Sequence, residues 1–252
     1  ILTFFPWDGV ARGRQGAGIT TDIAYSVPNG SLNFWTQRLK KHNVPILASG
    51  ERLGEGYVSF EDPDGLPLTL VIPAKADPRK PWETSEVSAS VATRGFQSVT
   101  LTLRSVTETA KVLTNIFDYT LVTQEGNRYR YATQAIEGAS IVDLVEIPKA
   151  GRAINAGGTV HHIAFRVRNE EVLMHFREKV LQHGLNITPK IDRNYFFSLY
   201  FREPGGVLFE LATDNPGFAV DESVEELGTH LKLPPQYEGS RAEIEKTLPA
   251  LV

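Results

Sequence analysis

The chain contains no cysteine. Disulfides and thiolate-held metals are excluded, so any metal must be held by nitrogen and oxygen. No apolar run is long enough to span a bilayer, and no secretory signal pattern is present. These absences fit a cytoplasmic home and no membrane partner. Positive charge is also in short supply. Lys and Arg number 26 against 30 Asp and Glu, for a formal net charge of −4. No basic stripe stands out, so nucleic acid is not the expected partner. Apolar residues make up 41 % of the 252 positions and charged residues 22 %, ordinary for a soluble globular protein. That length suits one large domain or two modest ones.

What is present is organised around the stretch from Gly158 to Asp214. It opens on Gly-Thr-Val-His161-His162-Ile-Ala-Phe-Arg-Val. It closes on Phe-Arg-Glu-Pro-Gly-Gly-Val-Leu-Phe-Glu210-Leu-Ala-Thr-Asp. Both ends carry β-branched and aromatic residues between turn signals and predict strands. A helix follows the first. Asn169 is its expected cap, Glu170 and Glu171 fill its first turn, and Val172, Phe176 and Val180 recur at helical spacing. Gly184 suits the left-handed terminus. Asn186–Ile191 and Tyr195–Phe201 predict two further strands, making a β-α-β-β-β unit.

The unit repeats. Thr21-Asp22-Ile23-Ala24-Tyr25-Ser26-Val27 matches His161-His162-Ile163-Ala164-Phe165-Arg166-Val167, and each follows a Gly-Arg pair, Gly13-Arg14 and Gly151-Arg152. Ile23 stands 37 residues before Phe60, and Ile163 stands 38 before Phe201. Between the first pair, Leu32, Trp35 and Leu39 share a helical face. A third, weaker copy starts at Gly95-Phe-Gln97-Ser98-Val99. It continues through a helix from Thr107 to Phe117 and ends on Ser140 to Glu146. The expected organisation has six parts. Residues 1–12 are the last strand of an incomplete first unit, and 13–73 are the second unit. A Pro- and Ser-containing linker covers 74–94. The third unit is 95–150 and the fourth, with the chemistry, is 151–218. A polar tail of 219–252 is expected to pack over the outside of the sheets. A sheet with one apolar face must cover it, and pairing two units does so.

Because the unit repeats, equivalent positions can be compared within one chain. Where the fourth unit has His161-His162, the others have Thr21-Asp22 and Gln97-Ser98. Where it has Glu210, they have Thr69 and, roughly, Asp143. Adjacent histidines at a strand start are commonly surface or hydrogen-bonded core residues. A residue needed by the fold would recur in every copy, and these do not, which favours a site-specific role. Two imidazoles and a carboxylate on one metal face suit non-haem Fe(II), because three positions stay open. Strand alternation sends one of His161 and His162 into the concave pocket and the other away, unless the strand is bulged. Register alone does not choose between them. Arg193 and Tyr200 flank and occupy the strand expected beside Glu210, and an odd–even count places Phe196 and Ser198 on the face of Tyr200. His42, His175, His183 and His230 have no partner at ligand spacing.

The Gly-Gly-Thr-Val-His-His-Ile-Ala-Phe-Arg-Val strand resembles the vicinal oxygen chelate (glyoxalase/bleomycin resistance/extradiol dioxygenase) superfamily. So do the Asp-Arg-Asn-Tyr-Phe-Phe-Ser-Leu-Tyr-Phe-Arg-Glu-Pro-Gly-Gly and Phe-Glu-Leu-Ala-Thr-Asp-Asn-Pro-Gly-Phe segments. More closely, they are similar to its ring-cleaving dioxygenases of the hydroquinone type. The resemblance extends to Phe-Phe-Pro-Trp7 and covers nearly the whole chain. It implies an α+β fold of tandem βαβββ modules in curved mixed sheets, the first module paired with the fourth and the second with the third. It implies Fe(II), with Mn(II) as the alternative ion, held by His162 and Glu210. The third ligand is expected from the first module's opening strand, which this sequence does not contain. It implies a pocket lined by His161, Arg193 and Tyr200, with Phe196 as a further substrate contact, and an aromatic substrate cleaved with O₂. His161 and Tyr200 are the expected acid–base groups and Arg193 the stabiliser of negative charge. Glyoxalase-like Lewis-acid chemistry and a non-catalytic binder of hydrophobic ligands are the alternatives. Homo-oligomerisation is left open.

Overall fold

Three βαβββ runs follow one another along the chain. The first holds β1 (Ile19–Ser26), α1 (Leu32–Lys41), β2 (Ile46–Arg52), β3 (Glu55–Glu61) and β4 (Pro67–Val71). The second holds β5 (Phe96–Leu103), α2 (Thr107–Asn115), β6 (Thr120–Glu125), β7 (Arg128–Ala132) and β8 (Ile141–Glu146). The third holds β9 (Ile163–Val167), α3 (Glu170–Gln182), β10 (Ile191–Asp192), β11 (Phe196–Arg202) and β12 (Leu208–Pro216). A short helix, α4 (Arg241–Thr247), is the last element among the described residues. This computed structural model describes residues 1–248, so the last four positions of the tail expected over 219–252 lie outside the described residues. No helix among the described residues is long and apolar enough to cross a membrane.

Local chemistry sets the element ends. The Asn169 side chain accepts from Val172 N at 3.0 Å, capping α3, and Gly184 follows the helix at φ +72°. The helix turns its Leu173 and Val180 inward. The first two units share one eight-stranded sheet, ordered β2-β3-β4-β1-β5-β8-β7-β6. Antiparallel pairing of β1 with β5 joins the halves. The third forms a four-stranded sheet, ordered β10-β11-β12-β9, in which β12 and β9 run parallel. The main core lies between these sheets and their helices. Phe117, just after α2, stacks on Phe165 of β9 at 4.4 Å and on Phe176 of α3 at 5.5 Å. Phe201, Phe209, Leu199 and Leu211 are buried beside them, each worth about 1.5–3 kcal/mol as buried area. Thr109 of α2 donates to the buried Glu203 carboxylate at 2.6 Å, which ties the β11–β12 turn to the neighbouring unit.

Three expectations are corrected. Residues 1–7 form no strand, because a strand needs a neighbour to complete its hydrogen bonds and none of the described strands runs beside them. The strand expected over 186–191 is reduced to Ile191–Asp192 and one bridge, Ile187 to Phe201. Pro189 has no N–H to donate, and the Thr188 hydroxyl accepts from Tyr200 N at 3.0 Å in place of a ladder carbonyl. The tail does not blanket the sheets. Phe218 stacks on Tyr195 at 5.4 Å, but Val220, Val224, Leu227 and Tyr237 are exposed. The segment 74–94 has no regular element, as expected of a linker, and it packs against the first unit. Trp35 Nε1 donates to Val91 O at 2.7 Å, and Ala92 is buried.

Candidate active site

Glu210 sits in mid-strand on β12, paired with Ala164 of β9 on one side and Tyr200 of β11 on the other. It is 3 % exposed, and a carboxylate that deep needs partners for both oxygens. It has them. The Tyr200 hydroxyl donates to Oε1 at 2.7 Å, and His162 Nε2 lies 2.7 Å from Oε2. The set extends outward on both sides. His161 Nδ1 and His162 Nδ1 are 2.8 Å apart. One tautomer per ring closes the chain: His161 Nδ1–H donates to His162 Nδ1, and His162 Nε2–H donates to Glu210. On the other side, Arg193 reaches the Tyr200 hydroxyl and the Ser198 hydroxyl at 3.4 Å each. These two bonds are long, and so they are weak.

Strand alternation does not separate the two histidines, because β9 begins only at Ile163. The pair lies just before the ladder, in a segment pinned by Asn155 Nδ2 donating to Val160 O at 2.9 Å. Both rings therefore line one cavity of about 440 Å³, together with Phe5, Trp7, Thr188, Arg193, Tyr200 and Leu208. Gly158 fixes the entry to this segment. Its φ is +74°, and a Cβ there would meet the Asp64 carbonyl oxygen at 2.0 Å. Only glycine lets the turn before β4 approach the backbone this closely at Gly158.

Phe196 is not brought to the cavity. The β11–β12 register shifts between Phe196 and Ser198, so the odd–even count fails there, and Phe196 lies 6.5 Å from Phe218 instead. Phe5, Trp7, Thr188 and Leu208 escaped the sequence reading. The first two carried a signal: bulky aromatics flanking Pro6, a residue that cannot donate to a ladder.

Burial, then the neighbouring His162 and Arg202, holds the His161 imidazole below its usual range. Its neutral form, which can accept a proton, is thereby favoured. Burial, then the bond to Glu210, pushes the Tyr200 phenol up and keeps it protonated.

The sister units repeat the geometry with other chemistry. Thr69 pairs with Ala24, and Asp143 with Thr100, as Glu210 pairs with Ala164. Across the ladder, Ser59 bonds Thr69 at 2.7 Å and Arg130 Nε donates to Asp143 at 2.8 Å, as Tyr200 does to Glu210. Thr69 also donates to Asp22, the counterpart of His162, at 2.8 Å. Each unit thus bonds its last-strand residue to the ladder neighbour, and only one of them pairs an imidazole with an acid.

The sequence profile of the Glyoxalase/Bleomycin resistance protein/Dioxygenase superfamily matches residues 95–211. The chain is 43 % identical over 248 residues to "Putative ring-cleaving dioxygenase MhqO" of Bacillus subtilis (strain 168), covering 98 % of this chain and 78 % of that protein. The chain belongs to this superfamily. It is 36 % identical over 242 residues to the chlorohydroquinone/hydroquinone 1,2-dioxygenase of Sphingobium indicum, covering 94 % of this chain and 74 % of that one. A crystal structure described as a "putative dioxygenase" from Bacillus subtilis superposes with a TM-score of 0.92 at 42 % identity, covering 99 % of this chain and 79 % of that one. A maize glyoxalase I variant, at 13 % identity and a TM-score of 0.59, shares the fold. Within the superfamily this member stands among the ring-cleaving dioxygenases, which are oxidoreductases.

The donor set suits a divalent metal in part. His162 Nε2, just before β9, and Glu210 Oε2, on β12, lie 2.7 Å apart, and nitrogen with carboxylate oxygen is the chemistry of non-haem iron and its neighbours. Two ligands of one ion stand about 3 Å apart, given metal–ligand bonds of roughly 2.0–2.2 Å, so a small opening of the pair would admit it. No group of three His, Asp or Glu side chains with metal-holding geometry occurs among the described residues. The fit therefore covers two ligand positions.

Proposed function

We propose that the chain performs Fe(II)-dependent, extradiol-type cleavage of a hydroquinone or catechol ring with O₂. The observation that carries this reading is the convergence of His162 and Tyr200 on the buried Glu210, in the wall of a cavity that His161 and Arg193 also line. The names of the relatives, one of them a hydroquinone dioxygenase, support the substrate class. His162 Nε2 and Glu210 Oε2 would hold the ion, with a third ligand from outside the described residues. Bound Fe(II) supplies the redox link between an electron-rich ring and O₂.

The chain's own residues do the rest. Tyr200 fixes the Glu210 carboxylate through Oε1 and leaves Oε2 free for the ion. With Nε2 of His162 holding the ion, its ring proton would sit on Nδ1, and His161 Nδ1, 2.8 Å away, would be the acceptor that orients the ring. In that tautomer His161 carries its proton on Nε2, so where it lines the cavity it would act as the acid, donating to a substrate oxygen, and would act as a base only after releasing His162. Arg193 brings a fixed positive charge beside the phenol oxygen of Tyr200, where negative charge on a substrate oxygen would be stabilised.

The test is anaerobic loading with Fe(II), followed by oxygen uptake with a panel of hydroquinones and catechols. One O₂ consumed per ring opened is the expected result, with H162A and E210A each falling at least a hundredfold. No uptake across the panel would overturn the reading. Turnover without O₂ in the presence of Mn(II), Ni(II) or Zn(II) would replace it with glyoxalase-like chemistry. Saturable ring binding without turnover would replace it with a binding protein.

A further inference from the structure

Arg193 differs from the guanidiniums that serve the sister units. Arg52 pairs with Asp22 at 2.9 Å, and Arg128 and Arg130 pair with Asp143 at 3.0 and 2.8 Å. Arg193 forms no ion pair among the described residues, and the partners it reaches are neutral hydroxyls. Its backbone is held in the turn before β11, where Arg193 N donates to Phe196 O at 2.9 Å and Arg193 O accepts from Tyr195 N at 2.8 Å. Its side chain rests on two residues of β11. The guanidinium carbon lies 5.5 Å from the centre of the Tyr200 ring. Nη2 donates to the Tyr200 hydroxyl and Nε to Ser198 Oγ, each at 3.4 Å. Ser198 is fully buried, and the bond from Arg193 is the one hydrogen bond its hydroxyl makes among the described residues. A buried hydroxyl without a partner is costly, so the arginine satisfies the serine while the serine holds the arginine.

The sister units show that the fold does not require this serine. Ser198 pairs with Ala212, two residues from the Tyr200–Glu210 pair, and the equivalent pairs are Tyr57 with Val71 and Arg128 with Val145. Both counterparts are long side chains engaged with charges of their own. Arg52 lies over the Tyr57 ring at 4.6 Å, and Arg128 donates to Asp143 at 3.0 Å. A side chain of that length at position 198 would run into the guanidinium that lies 3.4 Å from Ser198 Oγ. Only the fourth unit combines a short hydroxyl with an arginine that no acid neutralises. We infer that Ser198 is a positioning residue, which seats the Arg193 guanidinium over Tyr200 so that its charge meets an anionic oxygen of the bound ring. This rests on the ring-cleaving reading above, in which Arg193 stabilises negative charge on the substrate. A free arginine side chain samples many rotamers, and ordering it costs up to about 2 kcal/mol. Its two bonds are long, so neither alone fixes it. Ser198 contributes the contact that is buried and cannot move, and it presets the charge before the ring arrives.

The test has a binding arm and a turnover arm. Metal-free protein is titrated by calorimetry with 4-nitrophenolate, above the pKa of that probe, and with nitrobenzene, its neutral analogue. S198A should weaken the anion about tenfold, the lower end for a lost hydrogen bond to a charged group, and the neutral ring less than twofold. R193A should weaken the anion at least as much, and S198A/R193A should bind it no more weakly than R193A alone, since the serine acts through the arginine. S198T, which keeps the hydroxyl, should restore most of the loss. S198C, close in volume and a poor acceptor, tests the same bond should S198A not fold. In the oxygen-uptake assay S198A should lower kcat about tenfold and change KM less than threefold, because the charge is felt as the oxygen becomes negative. Additive losses in S198A and R193A, or equal losses for the anion and the neutral ring, would overturn the seat and spare the ring-cleaving reading. Anion binding that depends on Ser198 only when Arg193 is present, with no oxygen uptake by the parent protein, would keep the seat and overturn the reaction. Failure of the parent protein to prefer the anion would overturn the seat.

Discussion

Glu210 is the residue on which the site turns, and Tyr200 is the residue that controls it. A carboxylate 3 % exposed keeps its orientation only while both oxygens are satisfied. Replacing Tyr200 with Phe removes the 2.7 Å bond to Oε1 and leaves that oxygen without its donor. Support of this kind typically costs 10–100-fold in metal affinity or activity when removed. Y200F should therefore bind Fe(II) about tenfold or more weakly in a competition titration. The same role falls to Ser59 and Arg130 in the other units, which marks it as a feature of the unit rather than of the chemistry. The sequence placed Tyr200 beside Glu210, but not as its hydrogen-bond donor. Periodicity assigns a face, and only the ladder register of Tyr200 against Glu210 makes them direct neighbours.

At the scale of elements, the loops do as much positioning as the strands. The Gly13-Arg14 and Gly151-Arg152 pairs, visible in the sequence as a repeat, turn out to lie in segments that bond to each other. Gly13 N donates to Gly157 O at 2.8 Å, Arg14 N to Ile154 O at 2.9 Å, and Ala17 N to Gly151 O at 2.9 Å. That clasp leads directly to Gly158 and the histidines. G158A would place a Cβ against a backbone carbonyl and force a left-handed alanine. It should destabilise the protein by at least about 1 kcal/mol in urea denaturation. It should also weaken Fe(II) binding, because the segment bearing His162 must move. The stretch 74–94 shows the same principle. Arg79 donates to Phe96 O at 2.6 Å and pairs with Asp77, which also accepts from Ser26.

Burial alone would raise the Asp77 pKa, but the bonds from Arg79 and Ser26 outweigh it and hold the group at about 2 against an ordinary 3.8. A depressed carboxylate pKa stabilises the fold above the unfolded value, and that contribution is lost as pH falls through the folded value. Wild type should thus exceed D77N in stability at neutral pH. The difference should shrink between about pH 4 and pH 2, as followed by thermal melts across that range. Proline and polar content marked this segment as free of regular structure. They did not show that it is strapped down, because its partners lie in β1 and β5.

For the whole molecule, the joined sheet carries its own charged centre. Arg130 bridges Glu55 of the first run at 2.6 Å and Asp143 of its own at 2.8 Å, and all three are nearly inaccessible. Arg128 adds a second contact to Asp143 at 3.0 Å. Removing one partner of such a buried set leaves uncompensated charge, at a cost of about 3–5 kcal/mol. R130M should lower the unfolding free energy by that order, read from the urea midpoint. Glu55 and Arg130 are 75 positions apart. The sequence could not join them, since nothing local to either residue records that β1 and β5 pair.

The order of elements within the units apart from the strand over 186–191, the three copies of the unit, the exclusion of sulfur ligands and the singular pairing of histidine with glutamate followed from the chain alone. Each rests on side-chain periodicity, turn chemistry or composition, which act over a few residues or can be compared copy against copy. The tertiary structure decided that His161 and His162 face the same cavity, that Phe196 leaves it, that Phe5 and Trp7 enter it, and that Arg130 couples two units. Those outcomes depend on register shifts, on where an unpaired segment comes to rest and on contacts across many tens of residues. Such contacts exist only once the sheets have closed, and no short window of sequence contains them.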